Sequence, residues 1–157
     1  MKEQSQERLD RFVEELQAQQ EEQLRATYSE PFVENWLQPH NPGPMEDADG
    51  HGCVTGPCGD TMQFWIKVRD DRLVQVHFTT DGCGVSLVCG SMCARLAEGL
   101  ELSEAKQVTQ QRILQALGSV PDEEVHCALL ASNTLMEAVR DYLRNRPREQ
   151  WKKLYRR

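Results

Sequence analysis

Two runs of β-branched and aromatic residues, separated by a pair of aspartates, limit most strongly how this chain can fold. Thr61 to Val68 (Thr-Met-Gln-Phe-Trp-Ile-Lys-Val) reads as a strand with partial alternation. Leu73 to Thr79 reads as its hairpin partner, with Asp70-Asp71 as the turn. Val74, Val76 and Phe78 alternate with Gln75 and His77, which predicts one buried face and places His77 at solvent or an edge. His51 to Gly56 reads as a further short strand just before the hairpin.

The rest of the periodicity is helical. Leu9, Phe12, Val13 and Leu16 put a narrow apolar stripe on a Gln/Glu-rich helix within residues 1–27. That acidic extension serves either to dock a partner or simply as solvated charge. Ser29 is a candidate N-cap for a short helix carrying Phe32, Val33, Trp36 and Leu37, with Pro31 in its first turn. The run Pro39-His40-Asn41-Pro42-Gly43-Pro44 ends it, and His40 and His51 read as surface histidines. Val85 to Glu98 follows as a helix closed by Gly99. Ser103 is read as the cap of a short helical piece and Gln110 to Leu117 as another. From Glu124 to Arg144 an apolar stripe of Leu129, Leu130, Leu135, Met136, Val139 and Leu143 predicts a longer helix, interrupted at Pro147. Three stretches result: an extension over 1–27, a main domain over 28–145 and a basic tail over 146–157.

Between these elements lie the reactive side chains. Gly56-Pro57-Cys58-Gly59-Asp60 is a loop that can aim a thiol and a carboxylate at one point. Asp81-Gly82-Cys83-Gly84 turns strand into helix, and Val125-His126-Cys127 opens the long helix. Helix N-termini favour thiolate over thiol at Cys83 and Cys127. Thiolate with imidazole suits zinc or iron–sulfur chemistry, and the carboxylate is the hard member of the set. Three thiolates leave a four-ligand site incomplete, so Asp60 or His126 completes it. Adjacent His126 and Cys127 do not easily share one metal, which suggests exchange between Asp60 and His126 as the fourth ligand. Cys89 and Cys93 lie on an apolar helix stripe and read as core packing, whereas Cys53 can face either the pocket or the core.

Composition narrows the classes. The 157 residues suffice for one domain with a real core. A net charge of −7 argues against a general nucleic-acid binder. The first thirty residues lack the apolar segment of a secretory signal, and no apolar run is long enough to span a bilayer. A cytoplasmic location, without membrane attachment, is the expectation. In a reducing compartment the six cysteines suit metal binding better than disulfides.

At these residues the chain resembles the U-type iron–sulfur cluster scaffolds, the IscU/NifU amino-terminal domain family. The matching stretches begin with Tyr28-Ser29-Glu30, Asn41-Pro42-Gly43, Asp47-Ala48-Asp49-Gly50 and Pro57-Cys58-Gly59-Asp60-Thr61-Met62. Phe78 through Asp81-Gly82-Cys83-Gly84 follows, then Gly99 with Leu102-Ser103-Glu104-Ala105, and His126-Cys127-Ala128-Leu129-Leu130-Ala131. The likeness covers roughly Tyr28 to Leu143.

The resemblance implies an α+β fold, a small three-stranded antiparallel sheet packed by helices with the pocket at one end. It implies a scaffold rather than an enzyme. A cysteine desulfurase supplies persulfide sulfur, iron arrives, and a transient [2Fe-2S] cluster forms and passes to apo iron–sulfur proteins. Cys58, Cys83 and Cys127 are then ligands and sulfur acceptors, with Cys127 as first persulfide acceptor and Asp60 keeping the cluster labile. Such pockets also bind zinc when no cluster is present.

Departures from the family pattern bear on partners. Housekeeping members carry Leu-Pro-Pro-Val-Lys before the His-Cys pair, where this chain has Val120-Pro121-Asp122-Glu123-Glu124. The acid in place of lysine counts against the dedicated heat-shock-class chaperone. The insertion marking the zinc-binding sulfurtransferase branch is absent between Cys83 and Cys127. The alternative reading is a zinc-containing sulfur relay that accepts persulfide and stimulates a desulfurase, and a third is a stable redox or structural metal protein. The basic tail, with Trp151 and Tyr155, either docks an acidic face of the desulfurase or remains a solvated helix end. Homodimerisation is left open.

Overall fold

A computed structural model describes residues 1–155, with side chains through Arg146. The element order is α1 (Lys2–Thr27), α2 (Glu30–Leu37), β1 (Gly50–Thr55), β2 (Thr61–Arg69), β3 (Arg72–Thr80), α3 (Gly84–Ala97), α4 (Gln110–Leu117) and α5 (His126–Tyr155). Short 3-10 turns at Leu102–Gln107 and Asp122–Glu124 join the last helices. The sheet is three-stranded and antiparallel in the order β1-β2-β3. The α+β architecture expected from the resemblance is therefore present.

The sequence builds the hairpin as expected. Asp70 and Asp71 both take positive φ, 52° and 59°, the conformation that a two-residue turn needs to match strand twist. The inner face is where the pattern differs. Lys67 pairs with Gln75 but Val68 pairs with Leu73, so Val74 is an extra residue in a bulge. The bulge shifts the alternation by one. Leu73, Val76 and Phe78 are buried, and Val74, expected inside, is exposed.

The free edge of β3 is covered rather than open. Phe78 N–H donates to the Asn41 carbonyl and Gly43 N–H to the Phe78 carbonyl at one end. At the other end Leu73 exchanges backbone hydrogen bonds with Gly99 and Leu100. This removes the unpaired strand edge that would otherwise template aggregation. His40 belongs to the same seam: its Nε2 lies 2.6 Å from Glu98 Oε2, while Glu98 Oε1 accepts from Asn41 Nδ2 and Val76 N–H. It is a half-buried clamp, not the free surface histidine expected.

Helices α3 and α5 cover one face of the sheet and meet Phe64, Ile66, Val76 and Phe78 in the core. Cys89 and Cys93 are fully buried there, and burial raises both thiols well above their ordinary range. They are core residues, as the helix stripe predicts. On α5, Leu130, Leu135 and Val139 face inward, but Leu129 and Leu143 point out, so the buried stripe is narrower than expected.

Three end signals differ from expectation. Ser29 stands at the N-cap of α2 but makes no capping bond; its hydroxyl donates instead to the Leu117 carbonyl, tying α2 to α4. Glu101, not Ser103, caps the turn that follows α3, through a reciprocal capping box with Glu104. Helix α5 runs through Pro147, which lacks only the one N–H that the helix would have used. The side chains of the basic tail, including Trp151, Leu154 and Tyr155, lie outside the described residues. Helix α1 has no buried residue, and its Leu9, Phe12, Val13 and Leu16 remain exposed. Among the described residues no helix is long and apolar enough to cross a membrane.

Helix α5 lies against β1 too closely for any side chain at two strand positions. A Cβ at Gly52 would fall 2.5 Å from both Ala138 N and Thr134 O, and one at Gly50 would fall 2.5 Å from Ala138 O. Only hydrogen fits between this strand and this helix. Gly52→Ala should therefore cost about 1–3 kcal/mol in urea unfolding. Cys53→Ala, one residue along on the exposed face, should stay within about 0.5 kcal/mol.

Candidate metal centre

Three connections bring their donors to one end of the sheet. The first is the β1–β2 loop, closed by Gly59 N–H to the Gly56 carbonyl at 3.0 Å and Gly56 N–H to the Asp60 carbonyl at 2.8 Å. It presents Cys58, exposed, and Asp60, half-buried. The second is the β3–α3 connection. Asp81 ties it to the first, accepting from Thr61 N–H at 2.6 Å while Asp81 N–H donates to the Thr61 carbonyl. Cys83 is the N-cap of α3 and is exposed. The third is the start of α5, with His126 half-buried and Cys127 fully buried. Cys53 faces outward on β1 and takes no part in either donor group.

These donors fall into two adjacent groups. Ligand atoms of Cys58, Asp60 and His126 lie within 4.8 Å of one another, as do those of Cys83, Glu124 and Cys127. All five residues singled out in the sequence are therefore at the same end of the sheet. Asp60 and His126 stand together beside Cys58, and Cys127 joins the two groups, its Sγ 3.7 Å from His126 Nε2 and 3.5 Å from Glu124 Oε2.

Two members of the site were not legible in the sequence. Glu124 Oε2 accepts from the Cys83 thiol at 3.7 Å and the Cys127 thiol at 3.5 Å. Ser86, buried on the first turn of α3, links the groups: its hydroxyl is 3.4 Å from Asp60 Oδ2, 3.3 Å from Cys127 Sγ and 4.0 Å from Cys83 Sγ. The signal for Ser86 was its spacing, three residues after Cys83, which returns a helix to the same face. Gly82 is what allows this closeness. A Cβ there would lie 2.7 Å from Asp60 Oδ2 and 2.6 Å from the Ser86 hydroxyl.

The electrostatics differ from the sequence expectation at Cys127. Burial, assisted by the neighbouring Cys83 and Glu124, pushes its thiol up to about 12, against a lowering hydrogen bond from Ser86. The helix N-terminus does not outweigh lost hydration here. Without a bound cation Cys127 is a thiol at neutral pH, so a metal ion that took it as a ligand would displace its proton.

The donor set fits iron or zinc. Thiolates and imidazole are their usual ligands, and a carboxylate adds a harder, weaker partner. Residues 27–149 match the NifU-like N-terminal domain family. The chain belongs to that family. Among its relatives is a protein of Archaeoglobus fulgidus named iron-sulfur cluster assembly scaffold protein IscU 1. It is 39% identical over 118 residues, which cover 74% of this chain and 77% of that protein. The protein of Aquifex aeolicus named iron-sulfur cluster assembly scaffold protein IscU is 38% identical over 119 residues, covering 74% and 76%. The crystal structure of a NifU-like protein (N-terminal) from Brucella abortus superimposes with a TM-score of 0.62 at 16% identity, covering 74% of this chain and 94% of that one. That last likeness is one of fold. Helix α1 lies almost wholly outside the family match.

The proton on Cys127 gives a direct prediction. Zinc affinity should rise with pH through the neutral range. Proton release, read by calorimetry in buffers of differing ionisation enthalpy, should fall by about one in Cys127→Ser. Unchanged release would mean that Cys127 stays outside the metal shell.

Proposed function

We propose that this protein is a scaffold on which a [2Fe-2S] cluster is assembled from iron and desulfurase-derived sulfur, then passed to apo-proteins. The observation that carries the reading is the convergence of Cys58, Asp60, Cys83, His126 and Cys127 at one end of the sheet, with two of the thiols exposed. The relatives named as cluster assembly scaffolds support it. The working unit is the domain over 28–145; the 1–27 extension and the 146–157 tail are additions to it.

Cys127 is the proposed sulfur acceptor. Once its proton has passed to the solvent buffer, its sulfur attacks the outer sulfur of the desulfurase persulfide. The sulfur–sulfur bond breaks, the desulfurase thiolate leaves with the electron pair, and Cys127 carries the persulfide. Converting two such sulfurs to sulfide takes four electrons. Two ferrous ions becoming ferric supply two, and an external reductant, dithiothreitol in vitro, supplies the other two. Because Cys127 is buried beside Cys83 and Glu124, those side chains must yield for the desulfurase to reach it. Asp60 is a hard ligand on a soft cluster, so it weakens retention and favours transfer.

Anaerobic incubation with iron, cysteine, dithiothreitol and a cysteine desulfurase tests the reading, followed by addition of an apo-ferredoxin. Sulfide-to-iron charge-transfer bands should appear and then move to the ferredoxin. They should be lost in Cys58→Ala, Cys83→Ala and Cys127→Ala. Asp60→Ala should still form the cluster but release it several-fold more slowly. A colourless protein with one tightly held zinc would overturn the scaffold in favour of a sulfur relay.

A further inference from the structure

We propose that α1 is the docking surface for the basic C-terminal tail of a second copy of this chain, so that two copies exchange ends in a closed dimer. The proposal stands apart from the scaffold reading and from anything bound at the end of the sheet.

Helix α1 carries an apolar face that its own chain leaves open. Leu9, Phe12, Val13 and Leu16 are 54, 56, 42 and 43% exposed, and no residue of the helix is buried. Their i, i+3, i+4, i+7 spacing makes one continuous stripe. Elsewhere among the described residues, large exposed apolar side chains stand singly or as the adjacent Trp36 and Leu37. A 26-residue helix gains little in water from its backbone bonds alone, and covering such a face is what stabilises it.

The tail has the matching sequence. Residues 1–27 hold seven acids and four bases, whereas residues 146–157 hold six bases and one acid. Trp151, Leu154 and Tyr155 repeat the i, i+3, i+4 spacing of Leu9, Phe12 and Val13. Steps of four back from Tyr155, through Trp151 and Pro147, lead to Leu143, which is exposed on α5. Apolar stripes of equal spacing, one on an acidic helix and one on a basic segment, complement each other in pattern and charge. Residues 1–26 and 150–157 both fall outside the family match, so this chain carries the two together as additions to the domain.

Within one chain the two segments leave from different ends. Ser29, just after α1, is bonded to Leu117 and Ser119, in the segment that leads into α5. The tail lies at the other end of α5, a continuous helix of 30 residues and so about 45 Å long. With no buried residue, α1 is not packed along the domain toward that far end. A second copy therefore supplies the partner. Exchange in both directions is a twofold arrangement, which closes at two chains instead of growing into a filament.

Sedimentation equilibrium of the full chain from about 1 μM to about 1 mM tests the proposal. Reductant and chelator are present throughout, which excludes pairs bridged by a disulfide or a metal. A monomer–dimer equilibrium is expected, weakening as salt is raised. Phe12→Ala and Trp151→Ala should each raise the dissociation constant about tenfold or more. Alanine keeps the helix propensity at both positions, and circular dichroism checks that the helix content is unchanged. An equimolar mixture of the two variants should associate more tightly than either alone, because the mixed dimer keeps one unaltered contact between α1 and the tail. Dimers weakened by only one of the substitutions would mean that α1 pairs with α1, or tail with tail. Dimers indifferent to both would lie on another surface, and a chain that stays monomeric would leave the two ends for other partners. Each of these three results overturns the proposal.

Discussion

The site depends on one packing constraint, the contact of α5 with β1 at Gly50 and Gly52. Strand β1 runs directly into the Cys58 loop, and α5 begins at His126. Pressing that strand and helix together to the limit set by a glycine hydrogen fixes how the two donor segments sit across the end of the sheet. The third segment, with Cys83, is held independently by the Asp81–Thr61 bonds to the start of β2. Rigid elements therefore aim side chains that themselves sit on loops and helix starts, a common division of labour at binding sites.

The chemistry of the pocket suits temporary cargo. Cys58 and Cys83 are open to solvent, Cys127 is not, and the acids Asp60 and Glu124 stand as hard oxygen donors among soft sulfur ones. A carrier that must keep its cluster would instead favour thiolates throughout and shield them. Burial of Cys127 couples any use of its sulfur to a proton, since the thiol must lose that proton to a base before the sulfur can hold a cation or attack a persulfide. Together these features suit the scaffold proposed above, whose site would fill and empty.

Much of this was legible in the sequence because it rests on local signals. The Asp70-Asp71 turn, the Gly-rich loops around Cys58 and Cys83, and the position of His126-Cys127 at a helix start follow from turn chemistry and periodicity. What escaped depends on relations between segments. Val74 alternates correctly in the sequence, yet a bulge opposite Val68 turns it outward. Glu124 looks like one of three surface acids, and only the path of the chain into α5 brings it between Cys83 and Cys127. Ser86 reads as an ordinary helix residue until Gly82 lets Asp60 come against it. His40 gains its role from Glu98, far away in the chain.

The central claim is that donors of mixed hardness from three segments of one chain converge on the cargo. X-ray absorption at the iron edge of the cluster-loaded protein tests it most directly. The account predicts a shell of sulfur with a contribution from oxygen or nitrogen, reduced in Asp60→Ala. An all-sulfur shell, unchanged by that substitution, would contradict it.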